Sequence, residues 1–343
     1  MPRPLHQWLP EQWLGRGLAA QCLRPLAWIY GALLWARRLA YGQGWLSSHR
    51  VQATVIVVGN VVAGGAGKTP TTIALVHHLL QRGWKVGVVS RGHGRQTRNT
   101  RPVLAQSTPA QVGDEPLLIA QATGVPVWVG ALRAEAAQQL LLAHPSTQIV
   151  VCDDGLQHLA LARDIEICVM DERGVGNGWL QPAGPLREPW PRSVDLLLHT
   201  GPPALKVGAH GDFKAQRQLA AWAVRANGDR VGLSSLQGQE VDALAGLARP
   251  EAFFDMLRDA GLQLARTHAL PDHADFVDWP TTALERPLLC TEKDAAKLWQ
   301  RQPQALAVPL QLNIETGFWA ALDALLAERA GSPVSSAHGQ QTA

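Results

Sequence analysis

Between residues 58 and 69 the chain reads VGNVVAGGAGKT, where an apolar strand gives way to glycines, a lysine and a threonine. Such a loop binds phosphate. Glycines let successive backbone N–H groups turn toward anionic oxygens, and the helix N-terminus that follows adds its dipole. Lys68 would bridge the β- and γ-phosphates of a nucleotide, and the Thr69 hydroxyl would ligate Mg²⁺. The full P-loop pattern, G-x-x-x-x-G-K-[ST], asks for glycine at the position of Val62. Ala63 and Ala66 keep the loop narrow all the same. Val62, Ala63, Gly64, Gly65, Ala66, Gly67, Lys68 and Thr69 therefore form the candidate nucleotide cradle. Pro70 fits the first helical turn, where an N–H has no intrahelical partner.

Further on, IVVCDDGLQH (149–158) ends an apolar strand in two acids, Asp153 and Asp154. A carboxylate at a strand end is the expected partner of a P-loop, because it holds Mg²⁺ directly or through water. The plainer reading is a strand cap and a turn residue. His158, alone, is more often structural. QVGDEP (111–116) carries Asp114 and Glu115 on an expected loop between strands, which by composition is an ordinary surface turn. In LPDHADF (270–276), His273 sits between Asp272 and Asp275 and has the make-up of a general base beside a carboxylate. Pattern alone leaves both segments open. Arg91 in SRGHGR, Arg133 at a helix start and Arg187 in NGWLQPAGPLREP complete the set, each suited to anionic oxygens.

Continuous apolar strands alternating with helices must position these residues, with strands expected at 54–59, 85–90, 125–130, 149–154, 165–170 and 194–199. That pattern means a parallel sheet covered on both faces, with ligand-binding loops gathered at its C-terminal edge. The fold class is thus α/β, a P-loop NTPase-like parallel sheet domain with a second, smaller α/β domain. Expected boundaries are an N-terminal segment at 1–50, the P-loop domain at 51–200, the smaller domain at 201–330 and a disordered tail at 331–343. A Gly/Pro-containing stretch near 200–215 reads as the linker.

The four cysteines contain no C-x-x-C pair, which argues against a disulfide framework or a zinc site. Net charge is +3, but residues 1–50 hold six arginines against Glu11, so that segment is +5 and the remainder −2. A nearly neutral body does not look like a nucleic-acid binder, whose footprint would be a basic face on the folded domain. Five of the thirteen tryptophans also lie in the first fifty residues. There the apolar run LAWIYGALLWA (26–36) is flanked by Arg24 and by Arg37 and Arg38. Eleven residues rise about 16 Å as a helix, roughly half a hydrocarbon core. Tryptophan and arginine around a short apolar run suit a membrane-associated helix, peripheral or crossing once. The alternative is a helix docked on the body of the protein.

Taken together, VGNVVAGGAGKTP, SRGHGR, GDEP, DDGLQH, GNGWLQPAGPLREP, LAGLARPEAFF, LPDHADF and TEKDAAK resemble the tetraacyldisaccharide 4'-kinase family, in the same order from about residue 25 to 300. That family's own loop lacks the glycine that Val62 replaces. SRGHGR departs from it mildly, with histidine where an aromatic residue is more usual. The resemblance implies phosphorylation by ATP and Mg²⁺ of the 4'-hydroxyl of a tetraacylated disaccharide 1-phosphate, at the cytoplasmic face of the bacterial inner membrane. It implies that Asp114 and His273 cooperate to activate that hydroxyl, with Lys68 at the phosphates and Thr69, Asp153 and Asp154 at the metal. Arg91, Glu115, Arg133, His158, Asn177 and Arg187 are then the expected substrate contacts. The competing reading is a membrane-bound switch ATPase or GTPase that binds partners. TEKD (291–294) faintly resembles a guanine-reading loop, but the N-K-x-D order is absent.

Overall fold

The computed structural model describes residues 12–201, 210–247, 249–272, 274–281 and 284–330. His273 and the 331–343 tail lie outside the described residues. In chain order the elements begin with α1 (Leu18–Cys22), α2 (Arg24–Gly42), β1 (Thr54–Gly59), α3 (Lys68–Gln81) and β2 (Val86–Ser90). Next come β3 (Arg101–Pro102), α4 (Pro109–Val112), α5 (Asp114–Thr123), β4 (Val127–Val129) and α6 (Arg133–Ala143). β5 (Ile149–Asp153), β6 (Ile165–Met170), β7 (Leu196–His199) and β8 (Asp212–Leu219) follow. The remainder comprises β9 (Trp222–Val224), β10 (Arg230–Gly232), β11 (Glu240–Gly246), α7 (Pro250–Asp259) and β12 (Gln263–Leu270). It ends with β13 (Leu288–Thr291), α8 (Glu292–Leu298), β14 (Leu306–Val308), β15 (Leu310–Ile314) and α9 (Thr316–Arg329).

A nine-stranded sheet runs in the order β15-β8-β7-β6-β1-β5-β2-β4-β3, parallel from β8 to β4 and antiparallel at both edges. β1 lies between β5 and β6. Its alternate residues face opposite cores: Ile56 and Val58 pack with α3 and α9, Val55 and Val57 with α6. Each such side chain contributes about 1.5–3 kcal/mol by leaving water. Burial on both faces is why these strands are apolar throughout rather than alternating. A second sheet, β10-β9-β14-β13-β11-β12, packs Phe253, Phe254 and Leu257 of α7 on one face and Ala295 and Leu298 of α8 on the other.

The large sheet does not end at residue 200. β8 pairs parallel with β7 and β15 antiparallel with β8, so both strands and α9 belong to the first layer. Its sequence, DFKAQRQL, buries only Ala215 fully, as an exposed flank of a sheet does, and composition therefore reads as linker. A second difference concerns GDEP. Asp114 and Glu115 are not on a loop but open α5, after Gly113 at φ 93° breaks the chain away from α4. Acids in a first helical turn are favoured by the helix dipole.

α2 docks by one face on the 177–190 segment. The Tyr30 hydroxyl donates to Arg187 O at 2.9 Å, Arg38 pairs with Glu188, and the Arg24 guanidinium lies 4.8 Å from the Trp179 ring. The other face is open, with Trp28 at 65%, Leu33 at 65% and Trp35 at 66% exposure. Among the described residues no helix is long and apolar enough to cross a membrane.

Candidate active site

Loops after β1, β2, β4, β5 and β6 share the C-terminal edge of the large sheet, so distant motifs meet there. The 60–67 loop leaves β1 as a short extension against the 177–189 segment. Val62 bridges Leu186 in antiparallel fashion, Ala63 N donates to Pro185 O at 2.8 Å and Arg187 N to Val61 O at 2.7 Å. The Val62 side chain is buried in the same cluster as Leu156 and Leu186. The absent glycine is thus a core position of this loop, where a bare backbone would forfeit packing.

Beyond it the backbone turns sharply. Gly64 has φ 95°, and a Cβ there would stand 2.9 Å from Arg173 Nη1. Gly67, at φ 88°, caps α3 in the left-handed region. Arg173 grips the loop, donating to Ala63 O and Gly65 O at 3.2 Å each while Asp171 holds its Nε. With these carbonyls engaged from outside, the loop is held in a fixed shape.

Lys68 donates to Asn60 Oδ1 at 3.3 Å and lies 3.7 Å from Asp154 Oδ1. Arg187 Nη1 reaches the same two residues, Asn60 at 3.2 Å and Asp154 at 2.9 Å. One carboxylate and one amide thus hold two cations at the mouth of the loop. Burial alone would raise the Asp154 carboxyl, but Lys68 and then Arg187 outweigh it and hold it below the usual carboxylate range. Asp153 behaves oppositely. It accepts Thr72 Oγ1 and Ser90 Oγ at 3.1 Å each, and burial first, then Glu115 and Asp154, pushes it up to about 7. Asp154 sits at φ 49°, a left-handed conformation that aspartate tolerates better than most residues. Mg²⁺ is typically held by one or two carboxylates and the nucleotide phosphates, not by a protein cage. Thr69, Asp153 and Asp154 suit that donor set, and among the described residues no group of three or more His, Cys, Asp or Glu forms a cage.

Arg133 is 2% exposed, and its Nη1 donates to Gly130 O at 2.8 Å. Its Nε and Nη2 have no hydrogen-bond partner among the described residues. A buried guanidinium with two unmet donors beside the acid pair has the character of an anion contact. Burial, and then the Arg133 charge, push His158 down to about 3, so its imidazole is neutral at ordinary pH. Arg91 is exposed at the end of β2. Asn177 does not face the loop's mouth. Its Nδ2 donates to Gly15 O and Ala183 O and its Oδ1 accepts from Trp179 N, which makes it a brace of the 177–184 turn. In TEKD, Thr291 caps α8 by accepting from Asp294 N at 3.2 Å, and the Asp294 carboxylate accepts from Gly246 N at 2.9 Å, so both residues hold structure there.

Four residues of the site carry no expectation from sequence. Asn60, the one polar residue between β1 and the glycines, had a local signal in that position. Arg173 sits on the same sheet edge as Arg91 and was findable by the same rule. Glu188 and Lys297 stand inside GNGWLQPAGPLREP and TEKDAAK, but nothing local names their partners. Glu188 is buried and joins Arg38, Arg192 and Gln157. Lys297 donates to Asp114 Oδ2 at 2.9 Å from the other sheet.

The family model described as Tetraacyldisaccharide-1-P 4'-kinase matches residues 19–327. The chain belongs to that family. Among curated relatives, the tetraacyldisaccharide 4'-kinase of Acidovorax sp. (strain JS42) is 55% identical over 332 residues, which cover 96% of this chain and 98% of that protein. That of Polaromonas naphthalenivorans (strain CJ2) is 52% identical over 347 residues, covering 98% and 100%. Among solved structures, LpxK from Aquifex aeolicus in complex with ATP superposes with a TM-score of 0.79 at 27% identity, covering 90% of this chain and 99% of that one. With membership of this 4'-kinase family, the switch-ATPase reading lapses.

Proposed function

We infer that the protein transfers the γ-phosphate of ATP to the 4'-hydroxyl of tetraacyldisaccharide 1-phosphate, a step of lipid A biosynthesis. The observation that carries this is the Lys68–Asn60–Asp154–Arg187 cluster at the mouth of a glycine loop, in a chain matched by the 4'-kinase family from 19 to 327. In the reaction the sugar oxygen attacks the γ-phosphorus as the bond to the β-phosphate oxygen breaks, and ADP leaves. The hydroxyl proton passes to the Asp114–His273 pair. Lys68 and Arg187 offset charge on the transferred group, and cations fixed in place at this partly buried site act without reorganising. Arg133, with its two unmet donors, is assigned to an anionic oxygen of a substrate, together with Arg91. Glu115 and His158 border the acids, Glu115 through its effect on Asp153. Mg²⁺, when bound, supplies positive charge to the phosphate oxygens, with Thr69, Asp153 and Asp154 as its protein ligands. The test is transfer of label from γ-labelled ATP to the disaccharide in detergent micelles. Hydrolysis of ATP with no labelled lipid would rule the reading out.

The substrate carries four acyl chains and stays in a bilayer, so the enzyme must reach it there. The open face of α2 supports association with the cytoplasmic face of the inner membrane, in a peripheral manner. Its tryptophans and leucine point away from the body, the arginines Arg24 and Arg37 flank them, and one-sided burial is how interfacial helices bind. Replacing Trp28, Leu33 and Trp35 together by serine is expected to lower co-sedimentation with anionic lipid vesicles by about tenfold or more. Unchanged co-sedimentation would remove α2 from the account.

A further inference from the structure

We propose that Lys297 is a positioning residue for proton transfer, fixing the Asp114 carboxylate from the opposite sheet. The proposal rests on the kinase reading above and deepens it. Lys297 lies in the last turn of α8, a helix anchored in the smaller layer by the Thr291–Asp294 cap and by Ala295 and Leu298. Its ammonium donates to Asp114 Oδ2 at 2.9 Å and to Ala274 O at 3.4 Å. One turn earlier Lys293 donates to Asp272 Oδ1 at 2.6 Å. Two lysines four residues apart share a helix face. They hold both the start of α5, which bears Asp114, and the segment on either side of position 273.

The environment makes this tie more than a surface pair. The Lys297 and Asp114 side chains are 19% and 6% exposed, where an ion pair is little screened and its geometry is well defined. Exposed pairs, by contrast, are loose and contribute little. A carboxylate bound through one oxygen to an anchored ammonium has its plane and its height along α5 set. Lys297 takes no proton in the reaction. It fixes the acceptor, and misplacement of an acceptor by an ångström costs about 10²-fold in rate.

The test uses the full-length chain with ATP and the disaccharide in micelles. kcat, both KM values and the melting temperature are measured for Lys297→Met, Lys297→Arg and Asp114→Asn. Lys297→Met is expected to lower kcat per folded site by about 30-fold, with KM for ATP within about twofold of wild type. Lys297→Arg, which keeps a cation at similar reach, is expected to recover most of that loss. A merely structural tie would lower the melting temperature and leave kcat per folded site within about threefold, and that result overturns the proposal. If Lys297→Met does not fold, Lys297→Gln decides on the same terms. Asp114→Asn separates the two levels. Collapse of Asp114→Asn beside normal turnover of Lys297→Met sinks only the role of Lys297, whereas full turnover of Asp114→Asn sinks the base assignment and this proposal with it.

Discussion

Lys68→Ala is expected to lower kcat by about 10³-fold while the protein still folds. The side chain is the one flexible cation rooted in the helix that the glycine loop caps, and its ammonium already points at Asn60 and Asp154. Its removal deletes charge where the transferred phosphoryl group becomes most anionic, and leaves Asp154 with Arg187 as its near cation. Folding survives because the loop has other supports. Arg173 holds two of its carbonyls, Val62 its core contact, and Thr71 Oγ1 donates to Gly67 O at 2.9 Å at the start of α3. Lys68→Arg is expected to recover little, since a planar fork does not replace a point charge inside a narrow loop. Single-turnover transfer, with melting temperature as the folding control, checks this. Full turnover in Lys68→Ala would overturn the phosphate role of the loop.

Asp154→Asn is expected to cost about 10²- to 10³-fold in kcat and to raise the Mg²⁺ concentration for half-maximal rate by about tenfold or more. Asparagine is the informative substitution because, like aspartate, it accepts the left-handed backbone found at φ 49°. The change therefore removes charge without adding strain. It leaves Lys68 and Arg187 mutually repelling across Asn60, which one carboxylate now holds together. A Mg²⁺ titration of rate gives the comparison. An unchanged titration with near-normal kcat would dismiss Asp154 from the metal and leave Asp153 as the acid to examine.

The sequence by itself determined the parts whose signal is local. An apolar run buried on both faces reads as a parallel strand, so β1, β2, β5 and β6 stand within a residue or two of their expected spans. Glycine, lysine and threonine in register mark a candidate phosphate loop, and paired acids after an apolar strand mark its candidate partner at 153–154. Tertiary structure decided whatever depends on contacts between distant residues. The resemblance accounts for Val62 as a family trait, but only its packing beside Leu186 gives the physical reason for it. Arg187 and Asn177 lie in one motif, yet one faces Asp154 and the other braces its own turn. β8 is polar along most of its length because it borders solvent, so only its pairing with β7 reveals that the large sheet continues past residue 200. Lys297 lies 183 residues from Asp114, and no periodicity reports an ion pair formed by docking one sheet against another. Backbone preference and one-sided burial act over a few residues and leave their pattern in the chain, whereas the partner of a buried charge is chosen by the packed fold.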